Sequence, residues 1–270
     1  MEAVVDLAHG RRGPQRLQPR SVGCNPPRLL PMRHDPPSDP TRALRIAVVT
    51  CDGPAVVAAS AADLRRDQLQ LAGDGILLAL AQETPGSGEL ATAAVLALET
   101  RGSTGDEELA DQLAAALGVG PTPLLRPLPV DLEMLTMALE GDLLNSGGRI
   151  DLRTGEVIVG SDHDWYAEGD GDDEADLGDP DVWLHVRSEG SRDGYHDMVA
   201  FLGTIADAEL VERLERALRG KGAFRRFTDR LADVPGELER FQRYADDRQR
   251  GRARAWMAVH GYRPTRPTRP

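Results

Sequence analysis

The sequence RGKGAFRRF occupies residues 219–227, in the last quarter of a chain of 270 residues. It contains Lys221, the only lysine among the 32 basic residues of the chain. The helical pattern before it ends at Gly220, and Phe224 and Phe227 begin a new apolar stripe after it. The stretch therefore predicts a tight corner between two helices, around which the C-terminal part of the chain is organised.

The corner is consistent with two roles. In a structural role, its glycines end one helix and begin the next, the phenylalanines pack and the arginines are solvated. In a functional role, free backbone N–H groups at the start of the second helix bind an anion together with nearby cations. The candidate anion-binding residues are Gly220, Lys221, Gly222, Arg225 and Arg226. The spacing does not fit a Walker A loop, which needs four residues between its first glycine and the Gly-Lys pair.

The two arginines of this candidate site stand where a helix disfavours positive charge. Arg225 and Arg226 fall in the first turn, where the positive end of the helix dipole disfavours cations. We therefore expect a negative group close to the corner. One source is the chain itself, through Glu212, Glu215 or the acidic segment at 162–181, and the other is an external anion. The internal source is slightly favoured because the acidic segment contains ten carboxylates.

The charge of the chain is unevenly distributed. The net charge of −12 and the pI of about 5.0 disfavour a general nucleic-acid binder, whose electrostatic footprint is basic. Residues 207–270, however, carry 16 basic and 10 acidic side chains, and all aromatic residues lie between Trp165 and Tyr262. A surface for an acidic or anionic partner is therefore expected in the C-terminal half.

Several classes of site lack a signal in the sequence. The two cysteines, Cys24 and Cys51, do not form a metal-binding pair. The acidic segment does not match a calcium-binding EF-hand, because Ala175 stands where the loop requires glycine. The histidines of this region lack the spacing of metal ligands; they are His163, His185 and His196. We therefore predict no metal, no cofactor and no catalytic residue.

The expected location is the cytoplasm. No apolar run reaches the roughly 18 residues that a membrane span needs. The N-terminus has no uninterrupted apolar segment followed by a small-residue cleavage site, so no signal peptide is expected.

The hydrophobic patterns predict an α+β fold that is mostly helical. A β-hairpin at 150–159 turns at Gly155, and a third strand at 182–186 completes a small three-stranded antiparallel sheet. C-terminal helices cover this sheet. A helical subdomain precedes it, with helical patterns at 69–80, 89–100 and 106–117. The pattern at 43–50 fits a helix or a strand.

The composition divides the chain into five parts. They are a disordered N-terminal tail at 1–41, a helical subdomain at 42–118, a proline-rich linker at 119–129, an α+β domain at 130–262 with its acidic insert at 162–181, and a basic disordered tail at 263–270. The N-terminal tail is rich in proline and arginine and too poor in apolar residues to offset its ordering entropy. A start codon assigned too far upstream explains it equally well.

Three aromatic residues are predicted to share one C-terminal core. Phe224 and Phe227 fall on the apolar stripe of the helix after the corner, and Trp256 falls on the stripe of the last helix.

Several motifs in the second half of the chain occur together in a known family. They are DLRTGEV at 151–157, Trp183, Met198 and Phe201, GKGAFRRF at 220–227, Leu231 and Trp256. With these, residues 130–262 resemble a bacterial family of unknown function, uncharacterised protein family 0158. Thr228 stands where the family commonly has lysine. The family has no established activity or ligand, so the resemblance implies no functional residue.

We expect a non-catalytic intracellular binding or regulatory module that uses its basic, aromatic C-terminal half, with a protein or a small anion as partner. The alternative is an enzyme that holds a phosphorylated or nucleotide substrate at the corner, residues 219–226. A DNA-binding helix-turn-helix is less favoured, because Ala223 and Phe224 stand where base-reading side chains are needed. Asp229 and Asp233 would also repel phosphate.

Overall fold

The computed structural model describes residues 40–61, 64, 67–140, 147–160, 179–188, 190 and 192–265. The predicted N-terminal tail up to residue 39, most of the acidic insert and residues 266–270 lie outside this part. The helices of the described part are α1 (Pro40–Thr50), α2 (Gly53–Ala61), α3 (Leu69–Ala81), α4 (Ser87–Arg101), α5 (Asp106–Ala116), α6 (Leu132–Glu140), α7 (Arg192–Leu202), α8 (Ala208–Ala217), α9 (Ala223–Ala232) and α10 (Glu237–Val259). The strands are β1 (Arg126–Leu128), β2 (Gly148–Asp151), β3 (Val157–Val159), β4 (Trp183–Val186) and β5 (Tyr262–Pro264).

The first five helices pack on one another, and we call them the helical lobe. One apolar cluster joins α3, α4 and α5 through the fully buried Leu69, Leu98 and Leu109. A second cluster joins α1, α2 and α3. Three of the predicted helical patterns are confirmed by α3, α4 and α5. The ambiguous pattern at 43–50 is helical, because Leu44 and Ala47 lie one turn apart and both are buried.

The predicted three-stranded antiparallel sheet is confirmed, with the strand order β3-β2-β4. Gly155 turns the hairpin with a φ of 77°, and a Cβ at this position would lie 2.5 Å from the carbonyl oxygen of Pro129. Only glycine fits such a turn. One face of the sheet packs on α6 and α10 through Ile150, Leu135 and Met257, which are all fully buried. The α+β fold class is thereby confirmed.

A second sheet of two parallel strands, β1 and β5, is a correction to the prediction. Strand β1 lies inside the predicted proline-rich linker, and β5 extends into the predicted tail at 263–264. Arg126 stands opposite Tyr262, and the N–H of Thr265 donates to the carbonyl oxygen of Leu128 at 2.8 Å. Pairing between segments so far apart in the sequence leaves no local pattern from which it could be predicted.

The helices α7 to α10 pack around a cluster of aromatic rings. The ring centroid of Phe241 lies 5.1 Å from those of both Phe201 and Phe227. Phe227 is fully buried, as predicted, but the prediction is wrong for its two companions. Phe224 is 43% exposed, because it lies at the edge of the stripe that α9 buries. Trp256 packs instead against the core of the three-stranded sheet, which the long α10 also reaches.

We call the rest of the fold, β1 to β5 with α6 to α10, the sheet lobe. Its longest helix, α10, also packs against the helical lobe. It contacts α3 and α5 on one side, and α6, α7 and α9 on the other. A Cβ at Gly251 would lie 2.3 Å from the carbonyl oxygen of Thr104. The backbone of α10 therefore touches the loop before α5 directly. All described residues belong to one compact unit.

Candidate binding surface

The corner between α8 and α9 is built on two glycines in the left-handed conformation. Gly220 and Gly222 both have a φ of 76°, which glycine adopts without a steric cost. Gly222 is the N-cap of α9 and provides no side chain to bind the first N–H groups of that helix. The sequence therefore predicts this corner correctly, and its glycines leave the N-terminus of α9 uncapped.

Arg226 is bound within the corner itself. Its guanidinium donates to four backbone carbonyl oxygens, those of Ala217 at 3.2 Å, Arg219 at 2.7 Å, Gly220 at 3.4 Å and Lys221 at 2.5 Å. These carbonyl groups lie at and beyond the C-terminus of α8, where the helix has unpaired acceptors and a partial negative charge. The charge of Arg226 is thus compensated by backbone carbonyl groups, and not by the acidic side chains or the external anion expected from the sequence.

Arg225 and Lys221 are exposed to solvent. The Arg225 side chain is 91% exposed, and its Nε lies 3.8 Å from a carboxylate oxygen of Asp229 one turn further along α9. Such an exposed pair contributes little. Lys221 is exposed and forms no ion pair with any residue of the described ranges. Two positive charges of the predicted site therefore remain accessible to a ligand.

Exposed apolar side chains occur on α9 and on the neighbouring helix α7. The ring of Phe224 lies against α7, where a Cβ at Gly194 would be 3.1 Å from it. Tyr195 follows Gly194 directly and is 40% exposed, and Val199 is 45% exposed one turn further along the same helix. We define the α7–α9 surface as Tyr195, Val199, Lys221, Phe224 and Arg225. It combines aromatic rings, an aliphatic side chain and two accessible cations.

A buried polar network lies elsewhere, where α10 meets the helical lobe. Arg101 binds Asp106 and Asp247 with N–O distances of 2.5 Å each. The backbone N–H of Gln70 donates to Asp247 at 2.7 Å. Burial raises the pKa of Asp247 to about 6, although the charge of Arg101 and the hydrogen bond from Gln70 act in the opposite direction. Sequence reasoning missed this network, because its members come from four different helices.

The network has the features of a structural contact. Each of its carboxylates already binds an arginine, and the fully buried Arg254 donates to the Gln70 and Asp74 side chains. The cavity beside it measures only about 20 Å³, which has room for one water molecule. A more open cleft of about 230 Å³ lies between the two sheets, next to Tyr262 and Asp181.

The other predicted features are dispersed. His163 lies outside the described residues, His185 is on β4, and His196 on α7 lies 3.7 Å from Asp193. No group of three potential metal ligands occurs within the described part of the chain. Among the helices that the structure describes, none has the length and apolar character needed to cross a membrane.

Comparison with known proteins finds a similarity for one segment of the chain. No curated protein matches the sequence, and no solved structure matches it either. A family model matches residues 179–266, which contain β4, α7 to α10 and β5. The match includes the corner motif and excludes the hairpin motif at 151–157. This C-terminal segment, with the helix corner at its centre, is therefore the part of the chain that is similar to the Uncharacterised protein family (UPF0158).

Proposed function

We propose that the protein is a non-catalytic binding module of the bacterial cytoplasm, and that its α7–α9 surface binds an acidic protein segment. The observation that carries this proposal is Phe224. Its ring is 43% exposed although the other large apolar side chains of α9, Phe227 and Leu231, are fully buried. A large aromatic ring that is held against a neighbouring helix and open to solvent is typical of an anchor in a protein interface.

The charges beside the ring indicate the chemistry of the partner. Lys221 and Arg225 lie at an uncapped helix N-terminus, so backbone and side chains both favour a negative group there. Tyr195 and Val199 provide apolar area for side chains that accompany this group. The expected partner is therefore a peptide segment with carboxylates next to apolar residues, and charge complementarity would speed its association.

A photo-crosslinking experiment tests this function. Tyr195 is replaced by benzoylphenylalanine, which resembles it in shape, and crosslinked proteins are identified by mass spectrometry in the native cell. We expect one predominant adduct, lost with Arg225→Glu or Phe224→Ser. Arg230→Glu is the matched control, because Arg230 is also exposed on α9 and pairs with the nearby Asp233. The proposal fails if position 195 gives no specific adduct, or if the adduct survives both Arg225→Glu and Phe224→Ser.

A second candidate function follows from the uncapped N-terminus of α9. Here the protein is an enzyme whose phosphorylated or nucleotide substrate is held at residues 219–226, by backbone N–H groups and by the Lys221 and Arg225 side chains. Millimolar pyrophosphate or ATP should then raise the melting temperature of the wild type and leave Lys221→Ala/Arg225→Ala unchanged. Equal melting temperatures with and without the anions would rule out this alternative and leave the protein-binding proposal standing.

A further inference from the structure

We propose that the helical lobe is a separable cover on α10, which detaches as a folded unit and uncovers an arginine-rich face of that helix. The junction between the lobe and α10 consists of ion pairs and hydrogen bonds. This inference is independent of the α7–α9 surface, which lies on other helices.

The apolar cores of the two lobes are separate. Two of the four apolar clusters of the described residues lie entirely within residues 44–117, and the other two lie within residues 128–262. No cluster of the described residues therefore spans the junction. Lobes that share a polar interface move relative to each other by default, whereas a large apolar interface holds them together.

The centre of the junction is a chain of buried polar groups. Arg101 of α4 lies between Asp106 of α5 and Asp247 of α10, and the Asp247 carboxylate also accepts the N–H of Gln70 from α3. The side chains of Asp106 and Asp247 are 1% and 3% exposed. Burial of charges costs solvation energy that their mutual attraction only partly restores. The raised pKa of Asp247 reflects this cost.

Further ion pairs surround the centre, and each crosses from α10 to the helical lobe. Arg254 binds Asp74, Arg250 binds the same carboxylate at 3.0 Å, and Arg243 binds Asp67 at 3.3 Å. The carboxylates of the lobe thus neutralise these arginines of α10 in the closed structure. These arginines lie within the segment that matches the family, whereas the carboxylates that cover them lie outside it.

In the structure, the helical lobe is docked on α10 through direct contact between backbones. A Cβ at Gly105 would lie 2.1 Å from the carbonyl oxygen of Gly251, so the loop before α5 sits directly on α10. The connection after α5 is solvated, with Val119 78% exposed and Leu124 fully exposed. The lobe therefore has one specific docked position and a connection that permits it to leave.

Native-state hydrogen exchange on the full chain tests the proposal. The Gln70 amide is the reporter, because its N–H is held across the junction by Asp247. The amides of Leu98 and Phe241 report on the cores of the two lobes. In the wild type, we expect Gln70 to exchange through a partial opening. The free energy of this opening should fall less steeply with urea concentration than the free energies of the openings that expose the two core amides.

Substitutions across the junction sharpen the test. Arg101→Gln leaves two buried carboxylates without their cation and should accelerate exchange at Gln70 by about tenfold or more, with the core amides unchanged. Arg45→Gln is the matched control. It removes an exposed pair with Asp246 at the rim of the same junction and should change Gln70 exchange less than about twofold. Identical exchange and identical urea dependence at all three amides in the wild type would overturn the proposal, whether or not Arg101→Gln folds.

A distance measurement separates lobe opening from local fraying of α3. Spin labels are placed at the exposed Leu96 of α4 and Val259 of α10, after replacement of Cys24 and Cys51 by serine. We expect a second, longer distance in the wild type at the urea concentrations where Gln70 exchanges and the cores stay protected. A single, unchanged distance under those conditions would mean that α3 only frays, and the proposal would be wrong.

Discussion

Phe224 and Phe227 lie three positions apart on α9 and have opposite environments. Phe227 is fully buried between Phe201 and Phe241, whereas Phe224 is 43% exposed beside Gly194. At the scale of single residues, the same side chain therefore serves packing at one position and provides accessible surface at the other.

Substitution of the two rings should separate these roles. Phe227→Ala is expected to lower the free energy of unfolding by about 3–5 kcal/mol, because it leaves a cavity among packed aromatic rings. Phe224→Ala should lower it by less than about 1 kcal/mol, because the ring is already partly solvated. Urea denaturation of both variants measures the difference. Equal losses would show that the stripe of α9 is misassigned.

The two neighbouring arginines of the corner offer a second matched pair. Arg226→Ala removes hydrogen bonds to four carbonyl groups and should destabilise the fold by about 1–2 kcal/mol. Arg225→Ala should change stability by less than about 0.5 kcal/mol, because Arg225 is highly exposed and its ion pair is with the exposed Asp229. Arg226→Lys should restore only part of the loss, because an ammonium lacks the planar fork of donors. Full recovery with lysine would contradict the capping geometry.

At the scale of elements, the position of α10 depends on a close backbone approach. Gly251 lies in the middle of this helix, where glycine is intrinsically unfavourable relative to alanine. The carbonyl oxygen of Thr104 occupies the space that a Cβ would need. The glycine is therefore explained by the packing of α10 on the loop before α5.

Two glycine-to-alanine substitutions test this explanation. Gly251→Ala should destabilise the protein by about 1–3 kcal/mol, because backbone must move to make room. Gly88→Ala in α4 is the control. Its Cβ would meet only a side-chain carbon of Leu117 at 3.9 Å, so the better helix propensity should stabilise the protein by about 0.5–1 kcal/mol. Thermal melts measure both shifts, and stabilisation by Gly251→Ala would exclude the close contact.

At the scale of the whole molecule, the raised pKa of Asp247 predicts that the contact between the lobes depends on pH. The pKa of Asp247 is raised by burial from its ordinary value of 3.8 to about 6. Between these values the folded protein binds more protons at this group than the unfolded chain does. The contribution of Asp247 to stability therefore falls as the pH rises through this range, and its full cost is present above about pH 6.

The free energies of unfolding of wild type and Asp247→Asn, measured between pH 7 and pH 5, test this dependence. As the pH falls from 7 to 5, the wild type should gain stability relative to the variant, by at most about 1.4 kcal/mol per pH unit. The groups that face Asp247 are Arg101, Asp106 and Gln70, and they are the same in both proteins. Asp246→Asn, at an exposed position on the same helix, should show no such gain. A relative loss of wild-type stability on acidification would refute the assignment.

The local features of this protein were determined by its sequence. The helices α3 to α5 follow from apolar periodicity, the hairpin from a glycine that takes a positive φ, and the corner from Gly220 and Gly222. Each of these depends on residues within a few positions of one another, so pattern and propensity suffice to predict them. Asp207 likewise caps α8 locally, because its side chain accepts the N–H groups of Glu209 and Leu210.

Only the tertiary structure decided how these local features are used. Arg226 binds the end of the preceding helix, β1 pairs with β5, and Phe224 remains exposed because α9 buries a narrower stripe than its pattern suggests. The junction of α10 with the helical lobe is the clearest case, because Arg101 and Asp247 are 146 positions apart. The partner of a buried charge is selected by desolvation and geometry once the helices have packed, and neither is encoded in the residues beside it.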